Sequence, residues 1–386
     1  MTGTVVIAGS LAQRPGVGGH TWVFLQYLLG FRRLGWDVLF IDRLEPEMCV
    51  DAAGEPCPVD RSLNLRYFLD VMKRFDLDCC FALSCDGGKR WLGLSRGQVL
   101  ERARRSDVLF NVMGFLTDEA VLDAARLRVF LDIDPGFGQM WRALGLHDPF
   151  AGHNEFVTIG QNIGQDDCGI PTCGLTWITT PQPVVLDLWP PCPASRRRRF
   201  TSVVTWRGAF GPLEYRGKTY GLRVHEFRKF VELPRESGQV FELALDIHRD
   251  EVKDLALLTG NGWSLVDPSI VAGDPCTYRA YIQDSGAELM VAKNMYVETA
   301  SGWFSDRSIC YLASGKPVLA QDTGLAQRYP VGIGLLTFVT LEDARAGVAE
   351  IAGNYDRHAA AARELAESHF DSNKVLPRLL GALRVA

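Results

Sequence analysis

Short apolar runs, each followed by a stretch at helical spacing, recur along this chain, and no other feature limits its fold as much. Thr4–Ala8 (TVVIA) reads as a buried strand. A loop rich in small residues, Gly9 to Gly19, leads into helical spacing over Thr21–Leu34, where Trp22, Leu25, Leu28, Leu29 and Phe31 are apolar. Gly35 stops that helix and Asp37–Ile41 is the next strand, which completes a βαβ unit with parallel strands. Cys79–Gly93 reads as a loop, after which Asp107–Met113, Arg128–Ile133 and Phe156–Ile159 continue the strand series. Prolines then break the pattern: Pro171, Pro181, Pro183, Pro190, Pro191 and Pro193 cannot sit in a regular helix or central strand, so Ile170–Pro193 reads as a linker. Arg196–Arg199 beyond it reads as a solvated basic face. The alternation resumes with Phe200–Thr205, Phe241–Ile247, Gly262–Val266, Ala287–Val291, Pro317–Ala320 and Leu335–Phe338, and ends in three helical stretches. A length of 386 residues exceeds one typical core and suits two domains of about 190 residues. The expectation is α/β, with two Rossmann-like doubly wound parallel sheets, residues 1–190 and 200–370, followed by a terminal helix in 371–386.

Composition narrows the function. A net charge of −5 argues against nucleic acid as the main partner. No apolar run reaches the about 18–20 residues of a membrane span, and no signal-peptide pattern precedes Val5. The ten cysteines have neither the spacing of a disulfide framework nor that of a zinc site. They read as reduced thiols of a cytoplasmic protein, and no metal is expected.

The chemistry concentrates in Ser301–Gly324 (SGWFSDRSICYLASGKPVLAQDTG). Ser301-Gly302 makes a tight turn before Trp303 and Phe304. Ser305 and Asp306 suit a helix N-cap and first turn, Gly315 the stop, and Gln321-Asp-Thr-Gly324 the loop after the next strand. A helix that begins so presents free N–H groups and a positive dipole end, which bind an anion, most often phosphate. An ordinary helix–turn–strand would use the same residues. Lys293, at the carboxyl end of the Ala287–Val291 strand, is a candidate cation for that phosphate. Near the other end of the chain, Gly16-x-Gly18-Gly19 is not GxGxxG and lies eight or more residues past its strand, which disfavours NAD. His20, at the start of the first helix, has the side chain suited to general-base work near neutral pH.

Ser301–Ser305 and Ala313-Ser314-Gly315-Lys316-Pro317 resemble the donor-sugar signature of the GT-B fold glycosyltransferases, the nucleotide-sugar-dependent families 1 and 4 in particular. Gly18-Gly19-His20, closed by Gly35-Trp36-Asp37-Val38, is similar to their acceptor-side loop, in which the histidine deprotonates the acceptor. The resemblance implies a glycosyltransferase acting on a UDP-, dTDP- or similar sugar, without metal or other cofactor. The acceptor is a small molecule or glycan, and the last helix crosses back onto the first domain. It implies that Arg207, just past Phe200–Thr205, and Lys218 clamp the diphosphate with Ser301, Gly302, Trp303, Phe304, Ser305, Asp306 and Arg307. Asp322, Thr323 and Gly324 fall to the sugar. Asn111 stands where that family places an Asp to orient the histidine, and Asp132 is the substitute. A nucleotide-sugar 2-epimerase of the same fold and a non-catalytic nucleotide-sugar binder are the alternatives.

Overall fold

The apolar runs assemble into two sheets. In the computed structural model, residues 3–193, 198–208, 211–221 and 223–385 are described. The first sheet holds β1 (Thr4–Ala8), β2 (Asp37–Leu44), β3 (Phe81–Cys85), β4 (Arg90–Gly93), β5 (Val108–Val112), β6 (Arg128–Asp132), β7 (Glu155–Thr158) and β8 (Trp177–Thr179). Their order is β4-β3-β2-β1-β5-β6-β7-β8, and every pairing but β3–β4 is parallel. The second sheet holds β9 (Phe200–Thr205), β12 (Phe241–Asp246), β13 (Trp263–Val266), β14 (Ala287–Met290), β15 (Val318–Gln321) and β16 (Leu335–Phe338), all parallel, in the order β13-β12-β9-β14-β15-β16. A separate hairpin, β10 (Leu213–Tyr215) with β11 (Lys218–Tyr220), projects after β9. In both sheets the strand order reverses beside the first strand, at β1/β5 and at β9/β14. Such reversals leave a crevice outside the carboxyl ends of the strands, where open α/β sheets take ligands.

Three expectations are corrected. Cys79–Gly93 is a hairpin, β3–β4, that extends the sheet: its apolar residues form the ladder, and Asp86, Gly87 and Gly88 turn it with positive φ. The proline-rich segment contains β8, which pairs with β7 at the sheet edge. Pro171 and Pro181 lie outside its three residues, so no ladder bond is lost to a proline. Of the basic run, Arg196 and Arg197 lie outside the described residues. Arg199 is not a solvated residue, since it bonds Glu242 and Asp284 at 3.0 and 2.8 Å.

The two halves are joined by buried contacts. Trp22, on the Gly18–Arg33 helix, donates its indole N–H to the Pro275 carbonyl at 2.8 Å, where the Pro275–Asp284 helix begins. The Ser372–Ala382 helix packs on Gly18–Arg33. Val184 and Ser372 exchange backbone bonds with the opposite chain segment, Val184 N–H to Phe370 O at 2.7 Å and Ser372 N–H to Val184 O at 2.9 Å. No helix among the described residues is long and apolar enough to cross a membrane.

Candidate functional site

The carboxyl ends of β9, β12 and β13 open into a cavity of about 730 Å³ that reaches the start of the first helix. From the second sheet come Val203–Thr205, Leu245–Ile247 and Leu265–Asp267; the Asp306–Ala313 helix contributes Asp306 and Arg307; and Arg223 stands at the start of the Arg223–Phe227 helix. From the first half come Gly16, Val17, Gly19 and His20. The volume falls within the about 300–1,000 Å³ of small-molecule sites.

Ser305 is the N-cap expected of it, its Oγ accepting the Arg307 N–H at 3.2 Å. Arg307 is 8 % exposed and tied at both edges, Nε to Glu288 at 2.5 Å and Nη1 to the Val203 carbonyl at 2.8 Å. Arg223 differs. Its Nε is buried without a hydrogen-bond partner among the described residues, and its guanidinium makes no ion pair there. Burial, and after it the Arg307 charge, lowers Arg223 to about 10, which leaves it cationic at neutral pH. A buried donor left unmade is destabilising unless a ligand completes it. Asp306 sits between the two arginines in charge terms; burial raises its carboxyl and Arg307 draws it back down.

On the facing side, the helix begins at Gly18, two residues earlier than the loop reading of Gly18 and Gly19 requires. Gly18 donates to the Ala272 carbonyl at 2.9 Å, and a Cβ there would lie 2.4 Å from the Asp274 carbonyl oxygen. Only glycine allows the two halves to approach so closely. Ser10 holds His20, whose Nε2 lies 3.1 Å from the Ser10 carbonyl and 3.2 Å from its Oγ. A carbonyl only accepts, so Nε2 carries the proton and Nδ1 keeps its lone pair. Burial, reinforced by Arg14, lowers His20 to about 4, so the ring is neutral at physiological pH. A depressed histidine pKa contributes stability that is present above its unfolded value near 6.5 and lost as pH falls toward 4. Asp42 and Asp132, raised by burial to about 7 and about 6, act in the opposite sense. The expected result is therefore a difference: relative to His20→Gln, the wild-type melting temperature drops between pH 6.5 and 4, and parallel curves would count against the buried neutral ring.

Several sequence-predicted residues lie away from this cavity. Arg207 pairs with Glu251 on an exposed face, because the strand end it follows turns it toward the Val252–Gly260 helix. Lys218 is on β11 and pairs with Glu298 at 3.2 Å. Lys293 reaches across to the first half, where Asp134 takes it at 2.6 Å and also accepts from the Tyr296 hydroxyl. Ser301 and Gly302 are buried against Asn162, whose N–H donates to the Ser301 carbonyl at 3.0 Å; Gly302 has φ +69° there. Gly302 N–H bonds the Thr323 carbonyl, and Thr323 Oγ1 donates to Trp303 O at 2.6 Å. Trp303 stacks on Tyr296, and Phe304 packs on Tyr329 and Phe370. Asp322 accepts from the Gly324 and Leu325 N–H groups, and Asn162 donates to the Gly324 carbonyl. These residues thus form the clasp that seats the Asp306–Ala313 helix against the first half. Asp132 is buried with Gln139 and Thr158, and Asn111 with Leu116 and His153, so neither touches His20. Among the described residues no group of three or more His, Cys, Asp or Glu side chains forms a metal site.

No protein-family model matches the chain, and no curated protein does. Solved structures do. An alpha-glucosyltransferase in complex with UDP and a 13-mer DNA superposes with a TM-score of 0.62 at 11 % identity, covering 100 % of both chains. Anabaena HepE in complex with UDP-glucose gives 0.58 at 12 %, again over 100 % of both. AviGT4, a glycosyltransferase involved in avilamycin A biosynthesis, gives 0.53 at 12 %, over 99 % of this chain and 97 % of that one. The fold is GT-B. Arg223 is a cavity-lining cation that sequence reasoning did not single out, and no local pattern marked it.

Proposed function

We propose that the chain is a glycosyltransferase that moves a sugar from a nucleoside diphosphate sugar, UDP- or dTDP-linked, to a hydroxyl of a small-molecule or glycan acceptor. The donor lies on residues 200–370 and the acceptor on 1–190, with 371–386 as a strap across the first half. The observation that carries this reading is Arg223, without a hydrogen-bond partner among the described residues, beside Arg307 and the Asp306 helix start in a cavity at the carboxyl ends of β9, β12 and β13. The UDP and UDP-glucose bound in similar GT-B structures support it. In the reaction, the bond from sugar C1 to the diphosphate oxygen breaks and a bond from C1 to the acceptor oxygen forms. The electron pair leaves on the diphosphate, where two arginines and a helix N-terminus offset the growing charge in place of a metal. The acceptor proton passes to His20 Nδ1 or to the departing phosphate. With His20 held near 4 in the empty cleft, the anionic donor must raise its basicity before it takes a proton. Ten unpaired thiols support a reducing, cytoplasmic setting. The net charge of −5 favours a non-nucleic-acid acceptor.

No observation favours the 2-epimerase. A non-catalytic binder would share the cavity but would not turn over. Calorimetry with UDP, followed by assay of UDP release from UDP-glucose and dTDP release from dTDP-glucose over an acceptor panel, tests the reading. The expected outcome is UDP uptake with one-to-one stoichiometry and acceptor-dependent release; no heat with UDP, dTDP or GDP overturns it.

A further inference from the structure

The first sheet has its own cavity, of about 270 Å³, at the carboxyl ends of β1, β2 and β3 and the turn after β5. Gly9 lines it, and the next residue, Ser10, carries the hydrogen bond to His20, so the Ser10–His20 contact separates it from the donor cavity. Its wall is the β3–β4 hairpin, held in place by the Gly87 N–H donating to Glu45 at 2.7 Å. Trp91 stands on that hairpin with its indole N–H fixed on the Gly88 carbonyl at 3.0 Å, which sets the ring against the cavity. Opposite it, Arg43 gives one donor to Thr117 Oγ1 at 3.2 Å, while its Nε is buried with no partner among the described residues.

The charges select the ligand. Glu45 and Asp118 line the cavity; Arg96 pairs with Asp118 from outside, so the lining itself carries one cation against two carboxylates and the buried Asp42. An anion is repelled there. A purely apolar ligand would desolvate the Arg43 and Glu45 side chains that line the cavity without offering them a polar partner. A neutral ring with one C–H face for the indole and hydroxyls around its rim satisfies both conditions. The volume, below the about 300–1,000 Å³ of drug-sized sites, suits one such ring.

We propose that this cavity is a pyranose subsite, where Trp91 stacks on a sugar ring of the acceptor and Arg43 bonds its hydroxyls. The acceptor is then a glycoside or oligosaccharide, not an aglycone. Its role as acceptor subsite rests on the transferase reading; its binding of a pyranose does not.

The full chain is examined by saturation-transfer NMR against methyl α- and β-pyranosides of glucose, galactose, mannose and N-acetylglucosamine, with and without saturating UDP. At least one pyranoside is expected to receive saturation in the wild type. In Trp91→Ala and in Arg43→Gln its affinity falls about tenfold, the loss expected of an anchor residue, with UDP affinity unchanged. Should Trp91→Ala fail to fold, Arg43→Gln, a change near the carboxyl end of β2 that keeps a long polar side chain, decides alone. No pyranoside signal in a protein that binds UDP overturns the proposal, as does a signal undiminished in a folded variant. Pyranoside binding without UDP binding upholds the subsite and removes the transferase reading instead.

Discussion

Arg223→Met is expected to weaken UDP binding a hundredfold or more while the melting temperature of the unliganded protein stays level or rises. The two effects have one cause. In the empty protein the Arg223 Nε is buried and unmade, so removing the side chain relieves that penalty and breaks no hydrogen bond among the described residues. In the complex, the same side chain meets a diphosphate through charge-assisted hydrogen bonds of about 1.5–3 kcal/mol each, and two of them span about two or more decades in affinity. Arg223 still bears its proton at neutral pH, being lowered only to about 10, so the charge is available across the range of any assay. Arg207→Met is the matched control. Arg207 is exposed and already paired with Glu251, and a surface ion pair contributes about 0–1 kcal/mol, so neither UDP affinity nor stability should move appreciably. Calorimetry and thermal melts on the two variants decide it. Equal UDP affinity in Arg223→Met and wild type would refute the phosphate role; loss in Arg207→Met alone would return the role to the residue picked from sequence.

The contrast between these arginines shows what the sequence could disclose. The α/β frame was legible because apolar strands and amphipathic helices are local patterns, and β1 and β9 were read with their observed bounds. The Ser305 cap and the helix from Asp306 to Ala313 were legible for the same reason. The β3–β4 hairpin was not, since Cys, Ser and Asp-Gly-Gly around it resemble a loop until the neighbouring β2 provides a ladder. Which of the candidate site residues border the cavity was not legible either. Ser301, Gly302, Thr323 and Gly324 have the right chemistry for a ligand, yet their groups are spent on Asn162 and on each other, and Asn162 is more than a hundred residues away in the chain. Lys293 likewise looks free in sequence but finds Asp134 in the other half. Which cation lacks a partner is a property of the whole fold, and only the fold singled out Arg223.

Arg307→Met should lower unfolding free energy by about 3–5 kcal/mol, the largest stability effect expected of any single change at the cleft. Its partner Glu288 is fully buried on β14, and Arg307 Nε is its ion-pair partner at 2.5 Å. Removing the cation strands a carboxylate in the core, and against a total stability of about 5–15 kcal/mol the variant approaches the edge of folding. The remedy separates structure from function. Replacing both members, Arg307→Met with Glu288→Met, removes the stranded charge and fills the space with apolar groups, and such exchanges are often neutral. The double variant is therefore expected to recover most of the stability in urea melts, yet to remain weak for UDP, because the cation beside the helix start is still missing. Recovery of both properties would make Arg307 purely a strut and leave the diphosphate to Arg223. Recovery of neither would mean that the pair fixes the position of the Asp306–Ala313 helix itself, which a methionine pair cannot reproduce.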